Sequence, residues 1–239
     1  MQLFISNLVS DNPADQFYFF AVVLVVVVSI VLHELAHGWA ALRRGDPTPR
    51  VQGRMTGNPL VHMGPFSLVA LGIAGIAWGQ MPIDPTRMRG RHAGAFVAAA
   101  GPATNLILAA VTLTLLAVLL RLWGVADLPA VFALYGEFAR AGVAGELSMI
   151  QQNTLRLLAI AGVFNLVLAV FNLMPAPPLD GSHILADYSQ RYRDFAYNPT
   201  QPGLSLLLFI GAFMLIGLFF GFAIDGADAY VGWLATLGR

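Results

Sequence analysis

The chain has 239 residues, of which 57% are hydrophobic and 11% charged, with no cysteine and a formal net charge of zero; its mean hydropathy is +0.70. Soluble domains run at roughly 45–50% apolar and about 25% charged, so this is the composition of an integral membrane protein. It excludes a disulfide framework and a thiolate metal site, and the absence of a basic domain argues against nucleic-acid binding.

Taken in order, the chain opens with an N-terminal stretch that has no positive n-region. The apolar run after it lacks a small-residue cleavage site and reads as a permanent span. That span covers Phe17 to Leu42, 26 residues or about 39 Å of helix, enough to cross a bilayer with some tilt. Basic Arg43 and Arg44, then Gly45, mark its end. Residues 46–91 are rich in proline and glycine. Within them, residues 65–80 are apolar but short for a span, and read as a re-entrant or interfacial segment, with a fifth membrane crossing as the alternative. The arginines favour this: Arg43, Arg44, Arg50 and Arg54 before it and Arg87, Arg89 and Arg91 after it then share one face, as the positive-inside rule prefers.

The second span, 93–122, starts with small residues that let helices approach closely and contains Pro102 and Asn105. Residues 123–152 form a polar connection with Asp127, Glu137, Arg140 and Glu146, expected to hold a short helix on the opposite face. The third span, 153–174, runs into Pro175, Pro177 and Pro178, where a helix cannot continue. Unwound backbone at membrane depth is tolerated only where it lines a cavity or is covered by protein. The fourth span is 204–224. Nine of the thirteen arginines then lie on one face, which makes that face cytoplasmic and the protein a multi-pass plasma-membrane protein. No repeat or linker divides the chain, so 1–239 reads as one domain. The fold expected is all-α and polytopic, with four core transmembrane helices and the added membrane segment.

The chemistry sits at the inner end of the first span. His33, Glu34 and His37 form an H-E-x-x-H pattern. Histidines at i and i+4 share a helix face and can hold one Zn²⁺, with the glutamate beside them as general base. Ionisable groups in a lipid-depth helix are costly and mark function. His37 and His33 lie five and nine residues before Leu42, roughly 8 and 14 Å deep. The site therefore faces the cytoplasmic side. A third ligand must come from another helix; Asp180 fits by its position after the third span, although an aspartate after prolines also reads as a helix N-cap. Asn105 reads as an interhelical hydrogen bond or as a contact to substrate backbone. His183 reads as an interfacial histidine or a neighbour of Asp180, His62 as a weaker alternative ligand, and His92 as interfacial. The chemistry expected is peptide hydrolysis by a metal-activated water. Burial of the site makes the substrate a membrane-protein helix that unwinds, and backbone near Asn172 to Pro178 could pair with it. Two other readings use the same residues: a membrane zinc hydrolase with an aqueous chamber, and a non-proteolytic metal-dependent binder or transporter.

Three separated stretches, HELAH at His33–His37, AGPATN at Ala100–Asn105 and FNLMPAPPLDG at Phe171–Gly181, resemble the site-2 proteases, intramembrane zinc metalloproteases. The resemblance spans about residues 17–224 and is to a small form without PDZ or CBS domains. It implies one zinc held by His33, His37 and Asp180, Glu34 as catalytic base, and substrate contacts from Asn172 and Asn105. It also implies a membrane-associated β-hairpin after the first core helix. Ser182 stands where a second glycine is common, and Gly64 where small relatives often carry aspartate. The sequence leaves the oligomeric state unassigned.

Overall fold

A computed structural model describes residues 3–125, 147–198 and 202–236. The helix expected in the connection with Asp127, Glu137, Arg140 and Glu146 lies outside the described residues.

Helix α1 is Pro13–Arg43. It starts earlier than the hydropathy alone suggests because Asn12 caps it, accepting from the Ala14 N–H at 3.0 Å, and Pro13 occupies the first turn, where its missing N–H costs nothing. A short α2, Thr48–Val51, leads to α3, Pro59–Ala74, which opens with the same Asn-Pro device: Asn58 accepts from Leu60 N–H at 3.0 Å. Gly64, at φ 69 and ψ 169, interrupts α3 just before Pro65. At 16 residues α3 is shorter than the roughly 20 a span needs. After Gly75 the chain turns back along it. The Trp78 N–H and C=O both bond the Ser67 hydroxyl, at 2.8 and 2.7 Å, and Gln80 N–H reaches the His62 carbonyl at 3.0 Å. Helix down and irregular chain back is the shape of a re-entrant segment. The β-hairpin is not there: residues 46–91 contain no strand. Prolines at 47, 49, 59, 65, 82 and 85 remove the N–H donors a ladder requires, and Asn58-Pro59 starts a helix instead.

Helix α4, Ala93–Leu122, has the expected bounds. Helix α5, Met149–Asn172, begins four residues early because Ser148 and Gln151 form a reciprocal capping box. It ends before the prolines. Then come α6, Asp180–Tyr188, and α7, Gln190–Ala196. The last expected span, 204–224, is two helices: α8, Pro202–Met214, and α9, Ile216–Thr236. They are bent by 43° at Leu215, between Gly211 and Gly217. Among the described residues three helices, α1, α4 and α5, are long and apolar enough to cross a membrane; α8 and α9 pass that test as a bent pair.

Helix α4 is the hub, with α1, α5, α6 and α9 packed on it. Leu113, Leu116 and Leu120 of α4 interlock with Leu155 and Val163 of α5 and with Ala227 and Val231 of α9. Lipid tails are as apolar as these side chains, so close van der Waals fit holds the helices together. At the loop ends a single acid substitutes for regular structure. Asp46 is 0% exposed; its carboxylate accepts the Thr48 N–H at 2.9 Å and the Asp84 N–H at 2.8 Å, pinning the returning loop to the end of α1. Asp84 in turn accepts from Thr86 and from the Arg87 guanidinium, which hold its carboxyl below the ordinary value. Asp46→Ala strands two backbone donors and is expected to cost about 1–3 kcal/mol. The thermal midpoint of the purified protein in detergent reads this, against Asp194→Ala, an exposed acid, which should move it by less than about 0.5 kcal/mol.

Candidate metal centre

His33 and His37 sit one turn apart on α1, 7% and 6% exposed, and both rings face α4. The His37 Nδ1 lies 2.8 Å from the Val97 carbonyl oxygen. A carbonyl only accepts, so Nδ1 carries the proton and Nε2 presents its lone pair. The His33 Nδ1 lies 2.6 Å from the Asn105 side-chain oxygen, again an acceptor. The two Nε2 atoms are 3.0 Å apart.

The contact requires α4 to come unusually close. Gly101 allows it: a Cβ there would overlap the imidazoles of both histidines. Two residues of the AGPATN stretch thus serve the histidines directly, Gly101 by having no side chain and Asn105 by its amide.

Asp180 arrives from the far side. Residues 173–179 are a series of turns, with Ala176 N–H bonding Met174 O at 2.9 Å and Leu179 N–H bonding Ala176 O at 2.8 Å. The Pro177–Pro178 peptide is cis. The backbone expected to be free for strand pairing is therefore largely engaged in its own turns. Gly181 packs against the carbonyls of Leu173 and Met174, where a Cβ would collide. That tight return aims Asp180 back at α1. Leu179 holds the N-cap position of α6, so Asp180 is not the cap. Its Oδ1 is 3.3 Å from His37 Nε2 and its Oδ2 3.1 Å from His33 Nε2, yet the buried Oδ2 makes no hydrogen bond.

Two nitrogen lone pairs and a carboxylate therefore converge within 3.0–3.3 Å. They repel one another unless a cation lies between them. Tetrahedral zinc with bonds of roughly 2.0–2.2 Å separates its ligands by about 3.3 Å. The donor set, the spacing and the orphaned carboxylate oxygen fit such an ion, and His33, His37 and Asp180 are the cluster among the described residues that could hold one.

Glu34, 7% exposed, lines the same cavity as the three ligands, a space of about 880 Å³. Gly79, from the returning loop, lies against its carboxylate with no room for a side chain. The cavity extends from the ligands past Met81 and Met88 to Gly90 and His92, toward the arginine-rich face. Asn172 lines it too; its amide nitrogen donates back to the Leu168 carbonyl at 2.9 Å. Asn105 does not line it. It is 0% exposed, held between His33 and the Asn165 side chain, the latter at 2.8 Å. The interhelical reading of Asn105 is the one its contacts match. His62 is also 0% exposed, bonds the Thr56 carbonyl at 2.7 Å and stays out of the metal cluster. His183 lies at the cavity wall, 3.2 Å from the Tyr197 hydroxyl. His92 stacks on Tyr188 and faces Asp187 at 3.3 Å. Gly79, Asn165 and the Val97 carbonyl carry no motif and were not singled out by sequence; a lone asparagine inside an apolar helix was the one available signal, for Asn165.

With this geometry in place, the family model of peptidase family M50 matches residues 20–218. The chain belongs to peptidase family M50, the site-2 protease family. Among curated proteins it is 37% identical over 168 residues to "Putative zinc metalloprotease YwhC" of Bacillus subtilis, a match covering 69% of this chain and 67% of that one. It is 30% identical over 162 residues to "Putative zinc metalloprotease Rip2" of Mycolicibacterium smegmatis, covering 65% of this chain and 52% of that one. No solved structure matches the chain. The family is one of zinc metallopeptidases, and zinc is the cofactor that His33, His37 and Asp180 fit.

Gly101→Ala forces the histidines apart and is expected to weaken zinc binding about tenfold or more, since overpacking costs about 1–3 kcal/mol. Zinc content after chelator challenge, by elemental analysis, checks it. Gly94→Ala, on the same helix with only the flexible Asp187 carboxylate nearby, should retain zinc.

Proposed function

We propose that this protein is an intramembrane zinc endopeptidase that hydrolyses peptide bonds in the transmembrane segments of other membrane proteins. One observation carries the reading: the Glu34 carboxylate and the three-ligand cluster share one cavity, and His33, Glu34 and His37 are buried on a helix whose apolar length suits a bilayer. A substrate bond must come to that depth to be cut, which favours a membrane helix over a soluble peptide.

His33, His37 and Asp180 hold the zinc. When bound, zinc lowers the pKa of water toward neutrality and polarises a carbonyl oxygen. Glu34 is the general base: it accepts the proton of the attacking water and passes it to the leaving amine. Gly79 keeps that carboxylate in place by close contact. Asn172 has its NH₂ committed to the Leu168 carbonyl, so its amide oxygen is the end left to accept an N–H from an unwound substrate backbone. Asn105 acts through His33 rather than by touching substrate.

The bilayer frame follows from the same residues. Helices α1, α4 and α5 cross; α8 and α9 together make the fourth crossing, broken at Leu215; α3 and the returning loop enter and leave on one face. That face carries nine arginines and is cytoplasmic by the positive-inside rule, in the plasma membrane, with the cavity opening toward it. All of this is one domain, 1–239.

The test pairs two variants. Glu34→Gln should keep one zinc per chain and lose cleavage by about 10²–10⁴-fold, whereas Asp180→Ala should lose the zinc. Peptides of membrane proteins compared between cells carrying the active protein and Glu34→Gln would show the substrate as fragments present only with the former. Unchanged cleavage by purified Glu34→Gln removes Glu34 as the base. Zinc binding with no Glu34-dependent fragment points to a non-proteolytic binder or transporter.

A further inference from the structure

Asn165 lies in the middle of α5, 2% exposed, in no motif and out of reach of the zinc ligands. Its amide nitrogen donates to two acceptors: the Ala161 carbonyl one turn back, at 2.9 Å, and the Ser29 hydroxyl of α1, at 2.9 Å. Its amide oxygen accepts from the Asn105 nitrogen of α4 at 2.8 Å, and the Asn105 oxygen meets the His33 Nδ1 at 2.6 Å. The direction of this chain is fixed at one end. A backbone carbonyl cannot donate, so the NH₂ of Asn165 must face Ala161 and its oxygen must face Asn105. That turns the NH₂ of Asn105 toward Asn165 and its oxygen toward His33. His33 must then be protonated at Nδ1, with its Nε2 lone pair free. Were Asn105 to rotate by half a turn, its NH₂ would face Nδ1, and the proton would move to Nε2, between the metal ligands.

We infer that Asn165 is a positioning residue for the metal centre: through Asn105 it sets the orientation and tautomer in which His33 meets the zinc. The inference rests on the ligand role of His33 proposed above. Groups that orient a metal-binding histidine are commonly worth 10–100-fold in affinity. Asn165 acts through one intermediary, so the lower end applies.

A double-mutant cycle separates this from mere packing. Asn165→Leu keeps the volume and frees Asn105 to rotate; zinc affinity by chelator competition should fall about tenfold. Asn105→Asp supplies a carboxylate, which accepts from His33 Nδ1 whichever way it turns. Adding Asn165→Leu to Asn105→Asp should then cost nothing further. ¹⁵N-histidine spectra of the metal-free protein read the tautomer directly. His33 should be in the Nδ1–H form in the wild type and in both Asn105→Asp proteins, and mixed with the Nε2–H form in Asn165→Leu. An equal loss of affinity in both backgrounds, or an unchanged tautomer in Asn165→Leu, overturns the inference. A wild-type protein that binds no zinc would defeat the metal reading alone, because the metal-free spectra still report on Asn165.

Discussion

The structure depends on how closely α1 can approach α4 at Gly101. Everything at the metal centre is a consequence of that distance. Only with the helices in contact can the His37 Nδ1 reach the Val97 carbonyl at 2.8 Å and the His33 Nδ1 reach Asn105 at 2.6 Å. Those two bonds remove the protons from the Nε2 atoms and orient both rings. The Nδ1 atoms point away from the cavity into the α1–α4 contact, so each needs a partner supplied by the other helix. The small residues at the start of α4, with Ala95, Ala98 and Gly101 buried, are therefore a requirement of the histidines as much as of helix packing.

The same accounting explains why the polar groups come as a connected set. Ser29, Asn165, Asn105 and His33 link α1, α5 and α4 in a closed loop of hydrogen bonds. A single asparagine in an apolar helix would be a liability; four groups that satisfy one another tie three spans together at one level. Below that level the cavity begins, and above it the packing is mainly apolar, through Leu113, Leu116 and Leu155. The network thus marks the boundary between a wetted half of the molecule, which holds the chemistry, and a dry half that holds the helices together.

Much of this was legible in the chain. His33, Glu34 and His37 declare their spacing, and the prolines at 175, 177 and 178 force the break that delivers Asp180. Helix α4 matched its hydropathy bounds because a left-handed Gly124, at φ 68, stops the helix where the apolar run ends. Helices α1 and α5 each start four residues before the apolar run, since Asn12-Pro13 and Ser148…Gln151 are capping signals that lie outside it. The final span is bent by 43° at Leu215, where continuous hydropathy conceals a change of direction. The β-hairpin failed because a family likeness said nothing about six prolines. Partners that are backbone atoms, such as the Val97 carbonyl, and residues defined by a missing side chain, such as Gly79 and Gly101, leave little trace in a sequence read one residue at a time.

The break at Leu215 divides the final helix pair by attachment. Helix α9 belongs to the dry half: Ala223, Ala227 and Val231 pack into the α4–α5 core, and Tyr230 bonds Thr114 at 2.9 Å. Helix α8 belongs to the wetted half. Its Ala212 and Phe209 rest on Ala176, Leu179 and Phe171, the stretch that turns the chain from α5 to Asp180, and Ser205 bonds the Ala196 carbonyl of α7. A straight helix could not serve both surfaces, because they diverge where α5 ends and the turns begin. The bend at Leu215 lets one helix pair meet both surfaces, the α4–α5 core and the proline-rich turns before Asp180.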